Sequence, residues 1–285
     1  MSGRPYAEVI GDPIAHSKSP LIHNFWLAKL GIDGEYRACH VRVDELQSYL
    51  HSRNLDDKWR GCNVTMPHKQ AVIPLLDRLE AVTAEMGAVN TITMADCCLV
   101  GCNTDASGFL EPLQPLLAGC DHRFAYVVGA GGAARGIFHA LQLEGFRIWS
   151  FSRNPDRTAI EFERYVNDEF VCGMDYLTFD NSKAVRISSD SDRLDLFVNA
   201  SSLGMKDHDD LLVKLERFPE ELVVYDIITA PPRTALLQQA ESLGLRTIDG
   251  LAMLIGQAAL AFEKFFGQPA PREFDAELRA LLTAE

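Results

Sequence analysis

The chain has 285 residues, which at roughly 100 to 200 residues per domain allows one large domain or two ordinary ones. Apolar residues at 47% and charged residues at 24% exclude the disordered, collagen-like and coiled-coil classes. Lys plus Arg total 27 against 40 Asp plus Glu, a net charge of -13, so no basic field recruits nucleic acid or anionic lipid, and an anionic ligand must be held by local donors.

In chain order, residues 7–10 read as a buried strand. A helix is predicted over 20–30, with Ser19 as its cap, Pro20 at its first position and Gly31 just past its end. Strands follow near 36–40, 61–65, 88–93 and 99–102, with helices near 45–51, 68–79 and 106–117. A second series of strands runs at 124–128, 147–151, 194–198, 222–226 and 245–248, in the βα repeat of a Rossmann domain. After Gly250 a helix places Leu251, Leu254, Ile255, Ala258, Phe262 and Phe265 on one stripe, with Gln257 to its side, and is expected to return to the first domain. The fold class is α/β with mostly parallel sheets. The domains are an N-terminal one over 1–106 plus 250–285 and a Rossmann-type dinucleotide-binding one over 107–249.

The longest apolar run, 251–262, is interrupted by Gly256 and Gln257 and falls short of the roughly 18 residues a membrane span needs. Residues 1–13 carry Arg4, Glu8 and Asp12 and lack the apolar core of a secretory signal. The seven cysteines include no CxxC pair, so no metal site is expected, and reduced thiols in the cytoplasm are the simplest reading. The expected partner is a small-molecule substrate, with neither nucleic acid nor membrane, and a monomeric or homodimeric state.

The strand at 124–128 runs into Gly129, Ala130, Gly131, Gly132, Ala133 and Ala134 and then into a helix, a GxGxxA loop in its proper context. Gly129 permits the tight turn, Gly131 lets backbone N–H groups approach a pyrophosphate, and Ala134 allows close helix packing. The helix N-terminus favours the anion. An NAD site wants an acid after the second strand to accept the ribose 2′-hydroxyl. Here that strand ends in Ser152, Arg153 and Asn154, with Arg157 following. Two guanidiniums suit a 2′-phosphate, which selects NADP. Asp156 keeps an NAD reading open, and a solvated Arg pair is the bland alternative.

Lys69 lies in the first turn of a helix opened by Pro67, where the macrodipole disfavours a cation, so the position asks for another reason. Asp105, at the end of Asn103-Thr104-Asp105 after a strand, offers one as the other half of an acid/base couple. Desolvation lowers a lysine pKa and a neighbouring aspartate raises it, so spacing alone does not place it. A helix N-cap for Asp105 and a solvated surface position for Lys69 are the structural alternatives. Ser17 and Ser19 offer two hydroxyls in a strand-to-helix loop, and Asn90 ends a strand where its amide needs partners, supplied by a ligand hydroxyl or by turn backbone.

Taken together these residues resemble the shikimate/quinate dehydrogenase family over nearly the whole chain. Residues 11–20 (GDPIAHSKSP) with His23 and Asn24 are similar to that family's N-terminal substrate motif, and residues 63–69 (NVTMPHK) to its catalytic lysine motif. Residues 87–91, 103–105, the glycine loop, 199–205 and 249–257 follow in the family's order. The resemblance implies NADPH-dependent reduction of 3-dehydroshikimate to shikimate, a step toward aromatic amino acids, in a cleft between two domains. It implies substrate contacts at Ser17, Ser19, Thr65, Asn90, Asp105 and Gln257, with Lys69 as catalytic lysine, and it adds Ile227 and Gly250 to the cofactor set. Where the family usually has DxxYxP this chain has Thr229 at the tyrosine position, and its loop Ser152-Arg153-Asn154 replaces Asn-Arg-Thr with the arginine kept. A paralogue acting on quinate or an amino-substituted analogue, and a dinucleotide-binding regulator without catalysis, are the alternatives.

Overall fold

The computed structural model describes residues 3–167, 170–177 and 193–284. The chain divides into two compact units, one of Met1–Gly108 with Ile255–Glu285 and one of Phe109–Leu254.

The first unit opens with β1 (Tyr6–Gly11), α1 (Ser19–Leu30), β2 (Glu35–His40), α2 (Leu46–Asn54) and β3 (Trp59–Val64). It continues through α3 (His68–Ala71), β4 (Arg78–Leu79), α4 (Ala81–Met86), β5 (Thr91–Ala95), β6 (Cys98–Cys102) and α5 (Asp105–Leu110), the last of which reaches into the second unit. Its sheet has the order β2-β1-β3-β5-β6-β4. The β1 strand is buried at every position, as its apolar run requires of a strand covered on both faces. Contrary to the mostly parallel expectation, this sheet is mixed: β1 pairs in parallel with β2 and β3, but β5 runs antiparallel to both β3 and β6. The reversal brings four loop ends to one edge of the sheet. The chain leaving β1, β3 and β6 and the chain entering β5 all lie there.

Several predicted boundaries change for local reasons. Ser19 is the first residue of α1 and not its cap; Lys18 precedes it without a side-chain cap, and Ser17 Oγ accepts the Ser19 N–H at 3.3 Å. The helix ends as predicted, on Gly31 at φ 63 with its N–H on the Ala28 carbonyl. The helix expected over 68–79 stops after Ala71, because Pro74 has no N–H to continue it; a 3₁₀ turn Ile73–Leu75 and β4 follow. That expected over 106–117 is cut by Pro112 into α5, a 3₁₀ turn and α6 (Gln114–Leu117). The strand expected from 88 begins only at Thr91.

The second unit holds β7 (His122–Val128), α7 (Gly132–Leu143), β8 (Arg147–Ser152), α8 (Pro155–Glu161) and β9 (Val171–Gly173). After them come β10 (Arg193–Asn199), β11 (Val223–Asp226), α9 (Ala235–Ser242) and β12 (Arg246–Ile248). All pairs are parallel, in the order β12-β11-β10-β7-β8-β9. This is the doubly wound dinucleotide-binding order, which reverses between β7 and β10. Val127, Leu196 and Val224 fill its middle without solvent exposure.

The chain then enters α10 (Gly250–Phe266) and α11 (Asp275–Thr283), which from Ile255 onward belong to the first unit. Phe262 packs edge-on against Trp26 at 5.5 Å, and Lys18 Nζ donates to the Leu282 carbonyl at 2.7 Å, so both helices lie against α1. Fully burying rings such as Trp26 and Phe262 stabilises by roughly 1.5–3 kcal/mol each. No helix among the described residues is long and apolar enough to cross a membrane.

Candidate active site

The edge of the first sheet gathers the polar side chains that the sequence singles out. Lys69, in the short α3 just after β3, donates from Nζ to Asp105 Oδ2 at 2.6 Å. The two side chains are only 14% and 8% exposed, so the pair is largely desolvated and is neither the solvated lysine nor the free cap of the structural alternatives. The capping at α5 falls instead to Asn103, whose Oδ1 accepts the N–H groups of Asp105 at 2.9 Å and Ala106 at 3.4 Å. Asp105, the first residue of α5, is buried.

Asn90 joins the pair. Its Nδ2 donates to Asp105 Oδ1 at 2.9 Å and to Thr104 Oγ1 at 2.9 Å, and lies 3.4 Å from Gln257 Oε1. The Thr104 backbone N–H donates to Asn90 Oδ1 at 2.8 Å, which fixes the orientation of the amide, because a backbone N–H can only donate. Gln257, 8% exposed on α10, also meets Thr104 Oγ1 at 3.4 Å. Lys69, Asp105, Asn90 and Gln257, four positions far apart in sequence, thus share one hydrogen-bonded cluster. Three residues that sequence reasoning left without a role belong to it as well: Asn63, Thr91 and Thr104. Nothing in the sequence separates them from ordinary polar residues in or beside a strand; their burial does.

Ser17, Ser19 and Thr65 sit at the same sheet edge but outside that cluster. Ser17 and Ser19 are tied to each other, and the Ser17 N–H reaches the Ile14 carbonyl at 3.0 Å. Thr65 donates its N–H to Ile10 at 3.0 Å, and the Asp12 N–H goes to the Met66 carbonyl at 3.1 Å, so the loops after β1 and β3 are stitched together. A Cβ on Gly11 would stand 2.6 Å from Thr65 Cγ2, which explains glycine there.

In the second unit Gly129 ends β7 at φ 108, and an added Cβ would meet the Ala200 carbonyl oxygen at 2.7 Å, so the turn at the strand-order reversal admits glycine alone. Nothing lies within 4 Å of a Cβ on Gly131, which leaves its backbone open to a ligand beside the N-terminus of the twelve-residue α7. Ala130, Gly132 and Ala133 are half-buried, and Ala134 is fully buried against the sheet. Ser152 is buried and its Oγ accepts from Thr158 Oγ1 at 2.8 Å, while Arg153 is exposed. Arg157 is exposed and pairs with Glu161 at 2.6 Å along α8, whose N-terminus Asn154 caps. No carboxylate ends β8. A Cβ on Gly250 would lie 2.4 Å from the Ile227 carbonyl oxygen, a backbone contact that keeps the loop after β11 against the start of α10. Asp226 anchors that loop by accepting from Thr234 Oγ1 at 2.7 Å and from the Ile228 N–H at 3.1 Å, with burial pushing its pKa up. Among the described residues no group of His, Cys, Asp and Glu side chains is placed to hold a metal ion.

Comparison with known proteins bears on what this arrangement is for. A model of the shikimate dehydrogenase substrate binding domain matches residues 9–92, and one of the shikimate 5'-dehydrogenase C-terminal domain matches 250–275. The shikimate dehydrogenase (NADP(+)) of Sphingopyxis alaskensis is 48% identical, over 98% of this chain and 97% of its own length. The chain belongs to the shikimate dehydrogenase family. Solved members share the fold: the shikimate dehydrogenase of Aquifex aeolicus superposes with a TM-score of 0.84 at 30% identity, over 98% of each chain. The shikimate 5-dehydrogenase of Thermus thermophilus, in complex with NADP(H) and shikimate, does so at 0.81 and 33% identity, over 97% of this chain and 99% of its own. The two family matches fall on opposite ends of this sequence. The first covers Lys69 and Asn90, and the second the part of α10 that carries Gln257.

Proposed function

We propose that this chain catalyses the reversible NADPH-dependent reduction of 3-dehydroshikimate to shikimate, a step in aromatic amino acid biosynthesis. The observation that carries the reading is the desolvated Lys69–Asp105 pair at 2.6 Å, held at one sheet edge by Asn90, which Gln257 meets in turn. Reduction of a ketone builds negative charge on its oxygen, and a nearby ammonium stabilises that charge and delivers the proton. Lys69 is that acid in reduction and the base in the reverse direction. Asp105 orients it, and because each carboxylate oxygen has more than one lone pair, bonds to Lys69 and Asn90 leave capacity to accept from a ring hydroxyl. Asn90 and Gln257 bind further hydroxyls. Ser17, Ser19 and Thr65 take the substrate carboxylate through neutral donors, which suits an acidic protein. Ser19 is available for this because it does not cap α1.

NADP fits the second unit. The open Gly131 backbone, flanked by Gly129, Ala130, Gly132 and Ala133 at the start of α7, is a cradle for a pyrophosphate. Ser152, Arg153 and Arg157 are the residues proposed to hold the 2′-phosphate, a reading supported by the exposed Arg153 and by the lack of a carboxylate at the end of β8, and Ile227 and Gly250 complete the proposed set. When bound, the cofactor supplies the hydride. The substrate and catalytic domain is read as 1–106 plus 250–285 and the NADP domain as 107–249, supported by the two compact units. A cytoplasmic location, supported by seven free cysteines, and a monomeric or homodimeric state complete the reading.

Initial rates with shikimate or quinate, each with NADP+ or NAD+, test it. The expected result is fastest turnover with shikimate and NADP+. Turnover of quinate alone, or tight NADP+ binding without turnover of either acid, would contradict it.

A further inference from the structure

His23 and Asn24 of the N-terminal motif have no part in the chemistry above, and their placement leads to a longer feature. Asn24 clasps the backbone of Tyr36, its Nδ2 donating to the Tyr36 carbonyl at 2.7 Å and its Oδ1 accepting the Tyr36 N–H at 2.9 Å. The His23 ring stacks on Tyr36 at 3.9 Å between centroids and 5° between planes. The fully buried Tyr36 hydroxyl then donates to Asn63 Oδ1 at 2.6 Å. Asn63 Nδ2 donates to Thr91 Oγ1 at 3.0 Å, Thr91 Oγ1 donates to Asn90 Oδ1 at 2.9 Å, and Asn90 Nδ2 donates to Asp105 Oδ1 at 2.9 Å. Asp105 Oδ2 holds Lys69.

The direction of every bond in this series is forced. The Thr104 N–H obliges Asn90 to present its oxygen on that side, so Thr91 must donate to it. With its one proton committed, Thr91 accepts from the Asn63 amide nitrogen, which leaves the Asn63 oxygen to accept from Tyr36. Burial pushes the Tyr36 hydroxyl pKa well above its ordinary value, so it stays a donor. Thr91 is fully buried and Asn63 is 6% exposed, so no bulk water competes for these groups.

We infer that Tyr36 and Thr91 are positioning residues: the ordered chain Tyr36–Asn63–Thr91–Asn90 aims an amide N–H at Asp105 and so fixes the angle at which the carboxylate holds Lys69. The inference rests on the role proposed for that pair. It gives the substrate-loop helix α1 a mechanical link to the acid/base couple, through the Asn24 clasp on Tyr36.

Three variants of the full chain test it: Thr91→Val, which keeps shape and strand preference but removes the hydroxyl, Thr91→Ser, which restores it, and Tyr36→Phe. Rates are measured with shikimate and NADP+, and exchange of the Asn90 side-chain amide protons is followed by NMR without cofactor. A misplacement of 1 Å costs about 10²-fold in rate, and the Thr104 N–H still holds Asn90 in the variant, so Thr91→Val is expected to lower kcat about 10-fold with KM for NADP+ unchanged. Thr91→Ser is expected to recover most of the loss, Tyr36→Phe to fall between, and amide exchange to quicken in Thr91→Val. Wild-type kcat and exchange in both Thr91→Val and Tyr36→Phe, or equal losses in Thr91→Val and Thr91→Ser, would overturn the inference alone. If Thr91→Val fails to fold, Tyr36→Phe decides by the same two readouts. An inactive wild type would overturn the functional reading and this inference with it.

Discussion

Burial lowers the pKa of His23 from 6.5 to about 3. The ring lies between Tyr36 and Trp26, and among the described residues neither of its nitrogens has a hydrogen-bond partner. Between those two pH values the unfolded chain binds a proton that the folded chain refuses, so this residue removes stability as pH falls below 6.5. The loss approaches about 1.4 kcal/mol per pH unit and levels off near the folded value. His23→Phe keeps the stacking and loses the titration, so its melting temperature is expected to fall less than that of the wild type between pH 6.5 and 4. Parallel curves for the two proteins would show that His23 does not titrate this way. At this scale the legibility of the sequence was uneven. Lys69 and Asp105 could be singled out because a cation in a helix's first turn and a carboxylate after a strand both ask for a partner. Thr91 and Asn63 could not, since a polar residue within a strand reads as an ordinary solvent-facing position until its burial is known. Ser19 reads as a cap because serine is a favoured N-cap and proline a favoured first helical residue, and only the backbone shows that α1 starts one residue earlier.

Among the elements, the turn between β7 and α7 is the most tightly specified. Gly129 combines positive φ with an approach that a Cβ would close to 2.7 Å from the Ala200 carbonyl oxygen. Gly129→Ala therefore strains its own backbone and pushes on β10's following loop, at an expected cost of about 1–3 kcal/mol. It should lower the melting temperature and reduce the additional stabilisation that NADP+ confers; an unchanged melt with full stabilisation by NADP+ would contradict the role given to this turn. The loop was legible because strand, glycines and helix occur in one uninterrupted order. The helices 68–79 and 106–117 were drawn too long, because their apolar spacing continues across Pro74 and Pro112 although the backbone hydrogen bonds cannot. The strand pair β5 and β6 was placed, but its antiparallel turn was not read. That turn runs through Asp96 and Cys97 at φ 52 and 61, a two-residue hairpin that usually announces itself with a glycine and here has none.

For the molecule as a whole, alternation of strands and helices was enough to predict an α/β chain, and it described the all-parallel second sheet well. It failed for the first sheet, where the reversed β5 is what delivers Asn90 to the edge that already carries Lys69 and Asp105. Convergence of residues 69, 90, 105 and 257 depends on that topology and on the return of α10, neither of which a local pattern encodes. The net charge of -13 sharpens the chemical point, because the chain has no general cationic field with which to stabilise an alkoxide. In the function proposed, one ammonium, desolvated and aimed by a carboxylate, supplies that stabilisation. The steady-state kinetics of Lys69→Ala with shikimate and NADP+ test this most directly: kcat is predicted to fall by roughly 10² to 10⁴ with a much smaller change in KM, whereas a kcat close to that of the wild type would show that the proton is carried by another group.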